Sequence, residues 1–121
     1  MKGILSGYRI LNLNTINNKL KKEVVFVLTG KQRSYLKSLA NSIDAIFQVG
    51  KGSINDNMIK QINDTLEARE LIKINVLKNS PGGAREVCEE IAQKTNSEIV
   101  QVIGNKFVLY RESKENKVIE L

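Results

Sequence analysis

The passage Ile46-Phe47-Gln48-Val49-Gly50-Lys51-Gly52-Ser53-Ile54-Asn55-Asp56 holds the residues best suited to chemistry in this chain. An apolar strand runs into a glycine loop with one lysine, and a helix begins immediately afterwards. Glycines let backbone N–H groups approach an anion without Cβ obstruction, and a helix N-terminus adds unpaired donors and partial positive charge. Lys51 adds a full charge. The chemistry is phosphate binding. A short Gly-Lys-Gly also occurs where glycine merely reverses the chain between a strand and a helix, so the loop by itself names no ligand.

Composition removes several other chemistries. The chain has no histidine and a single cysteine, Cys88, which leaves no zinc site, no internal disulfide and no imidazole to activate a nucleophile. A reducing cytosol is the expected compartment. No apolar run is long enough to span a membrane, and the N-terminal segment lacks the apolar stretch and cleavage pattern of a secretory signal. With 121 residues, 41% of them hydrophobic, one compact domain is expected.

The formal net charge is +6, but it is unevenly spread. Residues 1–26 carry Lys2, Arg9, Lys19, Lys21 and Lys22 against Glu23 alone, so residues 27–121 hold a net charge of only +2. Global charge therefore says little about a polyanionic partner. A local cluster says more: Lys31, Arg33, Lys37 and Lys51 lie in a span whose only acid is Asp44. The other reading of the same helix face is an ordinary solvated surface.

The elements that must position these groups follow from Leu28 onward. Thr29-Gly30-Lys31-Gln32 has the capping-box pattern that starts a helix. Leu36, Leu39, Ala40 and Ile43 then form one apolar stripe and turn Lys31, Arg33 and Lys37 toward polar surroundings. Ala45–Val49 reads as a strand. Ser53 or Asn55 caps a second helix with Met58, Ile59, Ile62 and Leu66 inward. Leu71–Leu77 reads as a strand with Ile72, Ile74 and Val76 on one face, Lys73 and Asn75 on the other, and one sheet face wet. Asn79-Ser80-Pro81-Gly82-Gly83 breaks the chain before a third helix, about Ala84 to Lys94, that buries Ala84, Val87, Cys88, Ile91 and Ala92. Glu98–Ile103 and Lys106–Arg111 flank the hairpin turn Gly104-Asn105. The order is αβαβαββ, an α/β two-layer (α+β) arrangement. Residues 1–26 show no sustained period and read as a disordered tail or frayed helix. Lys22-Glu23-Val24 can be encoded by a bacterial ribosome-binding sequence with Val27 at a suitable distance for a start codon, so the alternative reading of this extension is translated leader. Residues 27–111 form the domain and 112–121 a charged C-terminal tail.

Four segments, in this order, resemble the stand-alone bacterial YhbY type of the CRM domain family. They are Leu28-Thr29-Gly30-Lys31-Gln32-Arg33 with Leu36; Val49-Gly50-Lys51-Gly52-Ser53-Ile54; Glu70-Leu71-Ile72-Lys73; and Gln101 through Arg111. The resemblance implies a four-stranded mixed sheet like that of the C-terminal domain of translation initiation factor three. It also implies RNA binding without catalysis, on large-subunit ribosomal precursors. The family loop is Gly-x-x-Gly, compared with the loop by which KH domains clamp an RNA backbone. Here Ser53 replaces the last glycine and Gly52 supplies freedom one position early.

The resemblance thus implies RNA contact at Gly50, Lys51, Gly52 and Ser53 and favours it for the helix residues Lys31, Arg33 and Lys37, while Lys73 fits an RNA contact and an ordinary wet strand position equally; no cofactor and no metal are expected. Six aromatic residues, several expected in the core, give no row of rings for stacking successive bases, so contact falls on phosphates. Two alternatives differ in class. A nucleotide-binding enzyme would need the longer phosphate-loop pattern, which is absent. A protein-interaction module could dock on ribosomal proteins through an open sheet face with only weak RNA contact.

Overall fold

The structure, a computed structural model, describes residues 8–10, 24–26, 28–50, 54–78 and 83–121. Two compact units divide the chain, Met1–Ser34 and Tyr35–Leu121. In the first, strand β1 (Tyr8–Ile10) pairs antiparallel with β2 (Val24–Phe26), Tyr8 opposite Phe26 and Ile10 opposite Val24. The sequence reading placed no element here, because three-residue strands are too short to show a period of two. The other residues of 1–26 lie outside the described set. The division between units falls inside helix α1 (Gly30–Ala40).

Helix α1 starts where its capping box predicts. Thr29 N–H donates to Gln32 Oε1 at 3.0 Å, and Gln32 N–H donates to Thr29 Oγ1 at 3.1 Å, so two end donors of the helix are satisfied reciprocally. Leu36 and Ala40 are buried, while Leu39 and the following Ile43 are half-buried.

The second unit holds a four-stranded mixed sheet in the order β3-β4-β6-β5. Strand β3 (Ala45–Val49) runs parallel to β4 (Leu71–Val76), as the intervening helix α2 (Asp56–Arg69) requires of a crossover. Helix α3 (Gly83–Thr95) then leads to the antiparallel hairpin β5 (Glu98–Ile103) and β6 (Lys106–Tyr110), and β6 pairs antiparallel with β4. At the hairpin turn Gly104 has φ +58, which fits the first central position of a II′ turn and suits glycine.

One core joins α2, α3 and the sheet. Ile62 and Leu66 from α2, Val87, Cys88 and Ile91 from α3, Val49, Ile72, Ile74 and Val76 from the parallel pair, and Phe107 and Leu109 from β6 make it. Each such Leu or Ile contributes about 1.5–3 kcal/mol on burial. On β6 the alternate residues Val108 and Tyr110 are buried as well, so this strand is covered on both faces. The expected wet face is therefore confined to other strands, where Gln48 is exposed and Lys73 and Asn75 half-exposed. Hydrophobicity without alternation is what a doubly covered strand shows, and Phe107-Val108-Leu109-Tyr110 has it.

Two helix ends take positive φ at non-glycine residues. Asn96, φ +54, follows α3, a position asparagine tolerates. Glu70, φ +69, caps α2, with its N–H donating to Leu66 O at 2.8 Å. A glutamate tolerates this poorly, and its side chain supplies the compensation.

Glu70 is fully buried. Its Oε2 accepts the N–H of Ser113 at 2.6 Å, and its Oε1 accepts those of Val118 at 2.7 Å and Ile119 at 2.6 Å. One turn earlier, Glu67 accepts from Ser113 Oγ and from the N–H groups of Lys114 and Glu115. Residues 113–119, read from sequence as part of a charged tail, are thereby fastened to the end of α2. These bonds hold the Glu67 carboxyl below the usual glutamate value, led by the Ser113 hydroxyl.

Candidate nucleic-acid interface

Strand β3 delivers the chain to the loop at Gly50, which is half-buried. Val49 pairs with Val76, and Val49 O accepts the N–H of Leu77 at 2.8 Å, so the loop leaves the sheet at the C-terminal end of the parallel pair. Val76 N–H donates to Asn105 O at 2.6 Å, which places the β5–β6 turn at that same end. Lys51, Gly52 and Ser53 lie outside the described residues.

Beyond the loop, Asn55 is the cap of α2. It has extended backbone, and its Oδ1 accepts Met58 N–H at 2.9 Å. Of the two expected capping residues, Asn55 fills the position. The cap consumes one of the end donors a phosphate would use, and Asp56 places an acid in the first turn, where it opposes an incoming anion. The helix end is thus a weaker anion site than the loop pattern suggests.

Helix α1 carries Lys31, Arg33 and Lys37. Lys31 and Lys37 are exposed and Arg33 half-buried, with Lys37 in the last turn, where a cation is favourable. Lys73 is half-exposed on β4, opposite Ala45 on one side and Val108 on the other. Three residues separate it from Val76, so it stands about 10 Å along the strand from the end where Gly50 departs. The structure therefore keeps Lys73 and Gly50 on the same parallel pair but at different levels of it.

Among the described side chains, Phe107 and Tyr110 are buried and Phe47 half-buried against the core, leaving Tyr35 as the exposed ring. Among the described residues no row of exposed rings offers a platform for stacked bases.

Sequence reasoning gave no role to Arg111. Its guanidinium donates to Asn63 Oδ1 at 2.6 Å, Asn63 O at 2.9 Å and Thr95 O at 2.8 Å, tying α2 to the last turn of α3. The Arg111 N–H donates to Glu70 O at 2.9 Å. Arg111 and Glu70 both fall in the segments that carry the family resemblance, and both act on the fold. The only signal for this was their position just after β6 and α2.

Cys88 is buried in the core, and burial pushes its thiol up to about 12. Among the described residues no group of acids and cysteine is arranged to hold a metal ion, and no helix is long and apolar enough to cross a membrane.

The sequence from just before α1 to just after β6 matches one family. Residues 28–111 match the CRS1 / YhbY (CRM) domain, and the chain belongs to that family. It is 57% identical over 95 residues to the Probable RNA-binding protein YqeI of Bacillus subtilis, covering 78% of this chain and 99% of that protein. It is 31% identical over 91 residues to an RNA-binding protein of Haemophilus influenzae, covering 75% of this chain and 92% of the relative. The solution structure of the protein SAV1595 from Staphylococcus aureus superposes with a TM-score of 0.66 at 63% identity, over 78% of this chain and 99% of that one.

Proposed function

We propose that this chain is a non-catalytic RNA-binding protein of the cytoplasm that acts in ribosome assembly on precursor large-subunit RNA. It grips the phosphate backbone with the Gly50-Lys51-Gly52-Ser53 loop and the basic residues Lys31, Arg33 and Lys37 of α1, with Lys73 as a separate contact farther along β4. The observation that carries this reading is the match over residues 28–111, which includes the loop and both flanking elements, to a family whose curated relatives bear RNA-binding names. The buried aromatic residues and the acid at the start of α2 favour side-chain cations on phosphates over stacking or a helix-end anion site.

Crosslinking in cells, followed by sequencing of attached RNA across gradient fractions, tests it. Large-subunit precursor RNA is the expected partner, and enrichment confined to messenger RNA or small-subunit particles would overturn the assignment. A second reading, docking on ribosomal proteins with weak RNA contact, draws on exposed Leu77 and Ile103 near the strand ends. It predicts salt-resistant binding to particles alongside salt-sensitive binding to naked RNA.

A further inference from the structure

A cleft of about 260 Å³ opens where β3 and β4 begin, at the opposite end of the parallel pair from Gly50. Ile43, Asp44, Ile46, Arg69, Leu71 and Lys73 line most of it. Three features set it apart from an ordinary surface fold. The pairing of β3 with β4 slips between Ala45 and Phe47, a bulge at Ile46, and bulges turn side chains out of their regular alternation. Ile46 is accordingly 41% exposed on an edge strand, beside half-buried Ile43 and buried Leu71. Asp44, Arg69 and Lys73 have no side-chain hydrogen bond or ion pair among the described residues, although each charge borders the cleft.

We propose that this cleft is a nucleotide pocket that takes one unstacked nucleotide of the bound RNA, an inference that rests on the RNA-binding reading above. Ile43, Ile46 and Leu71 offer an aliphatic surface for one face of a base. Arg69 and Lys73 offer donors and charge to its phosphate. The Asp44 carboxylate is an acceptor only, so it suits a base with an exocyclic amino group, as in cytosine, adenine or guanine, and disfavours uracil. A bare phosphate has no use for the apolar surface and would be opposed by Asp44. An apolar ligand would strand two cations and an acid. A nucleotide satisfies all three kinds of group. The volume, slightly below that of sites for drug-sized molecules, suits a ligand of this size. RNA held at the glycine loop would run along the parallel pair to reach the cleft, with Lys73 now belonging to this second contact.

The test titrates the full chain with a single-stranded RNA oligonucleotide and with versions abasic at one position at a time, for the wild type and for Ile46→Ser. Ile46 is exposed on an edge strand, so the variant is expected to fold. In the wild type one abasic position should weaken binding about fivefold, the low end of what one stacked base contributes, and in Ile46→Ser the same change should cost nothing. In parallel, cytidine monophosphate should shift the backbone amide resonances of Asp44, Ile46 and Lys73 more than uridine monophosphate does. No sensitive position, equal sensitivity in Ile46→Ser, or mononucleotide binding without any abasic effect would overturn the pocket while leaving RNA binding standing. Failure of the wild type to bind any RNA at low salt would overturn both.

Discussion

Glu70 and Ser113 are joined by a 2.6 Å hydrogen bond from the Ser113 N–H to a carboxylate that is itself fully buried. The same carboxylate holds Val118 and Ile119, so a residue at the end of α2 organises the chain after the last strand. Glu70→Ala leaves three backbone donors without this partner, at a cost of about 1–3 kcal/mol, or roughly 4–8 °C in melting temperature for each kcal/mol. Glu70→Gly loses the same bonds but relieves the positive φ of +69, and should melt above Glu70→Ala by the equivalent of about 1 kcal/mol. Equal melting of both variants and the wild type would show that the carboxylate does not hold the segment.

Glu67 gives this fastening a pH dependence. Its carboxyl lies below the ordinary value of 4.5 because the Ser113 hydroxyl and the N–H groups of Glu115 and Lys114 favour the charged form. A lowered folded value means that its stabilisation is fully present above 4.5 and is lost as pH falls through the lower value. Protection factors at residues 114 and 115, with the intrinsic pH dependence of amide exchange divided out, should fall over that window before those of the sheet. In Glu67→Gln the acid-triggered fall should be absent, since protection there is already low at neutral pH.

Arg111 should prove a structural residue despite its charge. Arg111→Ala strands Asn63 Oδ1 and the carbonyls of Asn63 and Thr95, and should destabilise by about 1.5–3 kcal/mol. Arg111→Lys keeps the charge without the planar fork that spans both helices, and should fall between. RNA affinity of the folded fraction should be unchanged in both variants, as titration below the melting transition can show.

Cys88, buried in the core with its thiol pushed up to about 12, should resist alkylation in the native protein at neutral pH. Iodoacetamide labelling followed by mass spectrometry should find modification only after denaturation. Rapid native labelling would place the thiol at the surface.

Regular elements were legible in the sequence wherever one local rule acted alone. The Thr29/Gln32 box, the stripe of α3 and the strand Ala45–Val49 sit where periodicity and capping put them. The covered second face of β6 was not anticipated, because burial of Val108 and Tyr110 depends on what packs there and not on the strand's own pattern. Nor were the bonds from Glu67 and Glu70 to residues 113–119, which join acids to backbone donors more than forty residues away and leave no local trace. For the candidate interface, residue types and order were readable, whereas the separation of Lys73 from Gly50 along the parallel pair came only from strand register.

Phosphate contacts at the glycine loop and on the basic face of α1, the grip on RNA proposed above, should show in the salt dependence of RNA affinity. Binding of one single-stranded RNA should be measured across a salt series for the wild type, for Lys51→Ala and for the combined Lys31→Ala, Arg33→Ala and Lys37→Ala variant. Each lost phosphate contact should flatten the plot of log affinity against log salt by roughly one, so Lys51→Ala loses about one and the triple variant about two to three. A Lys31→Ala, Lys37→Ala double variant should hardly move in melting temperature, since both side chains are exposed, and its slope change separates lost charge from lost fold. Slopes equal to the wild type in both variants, with affinity unchanged, would contradict the account.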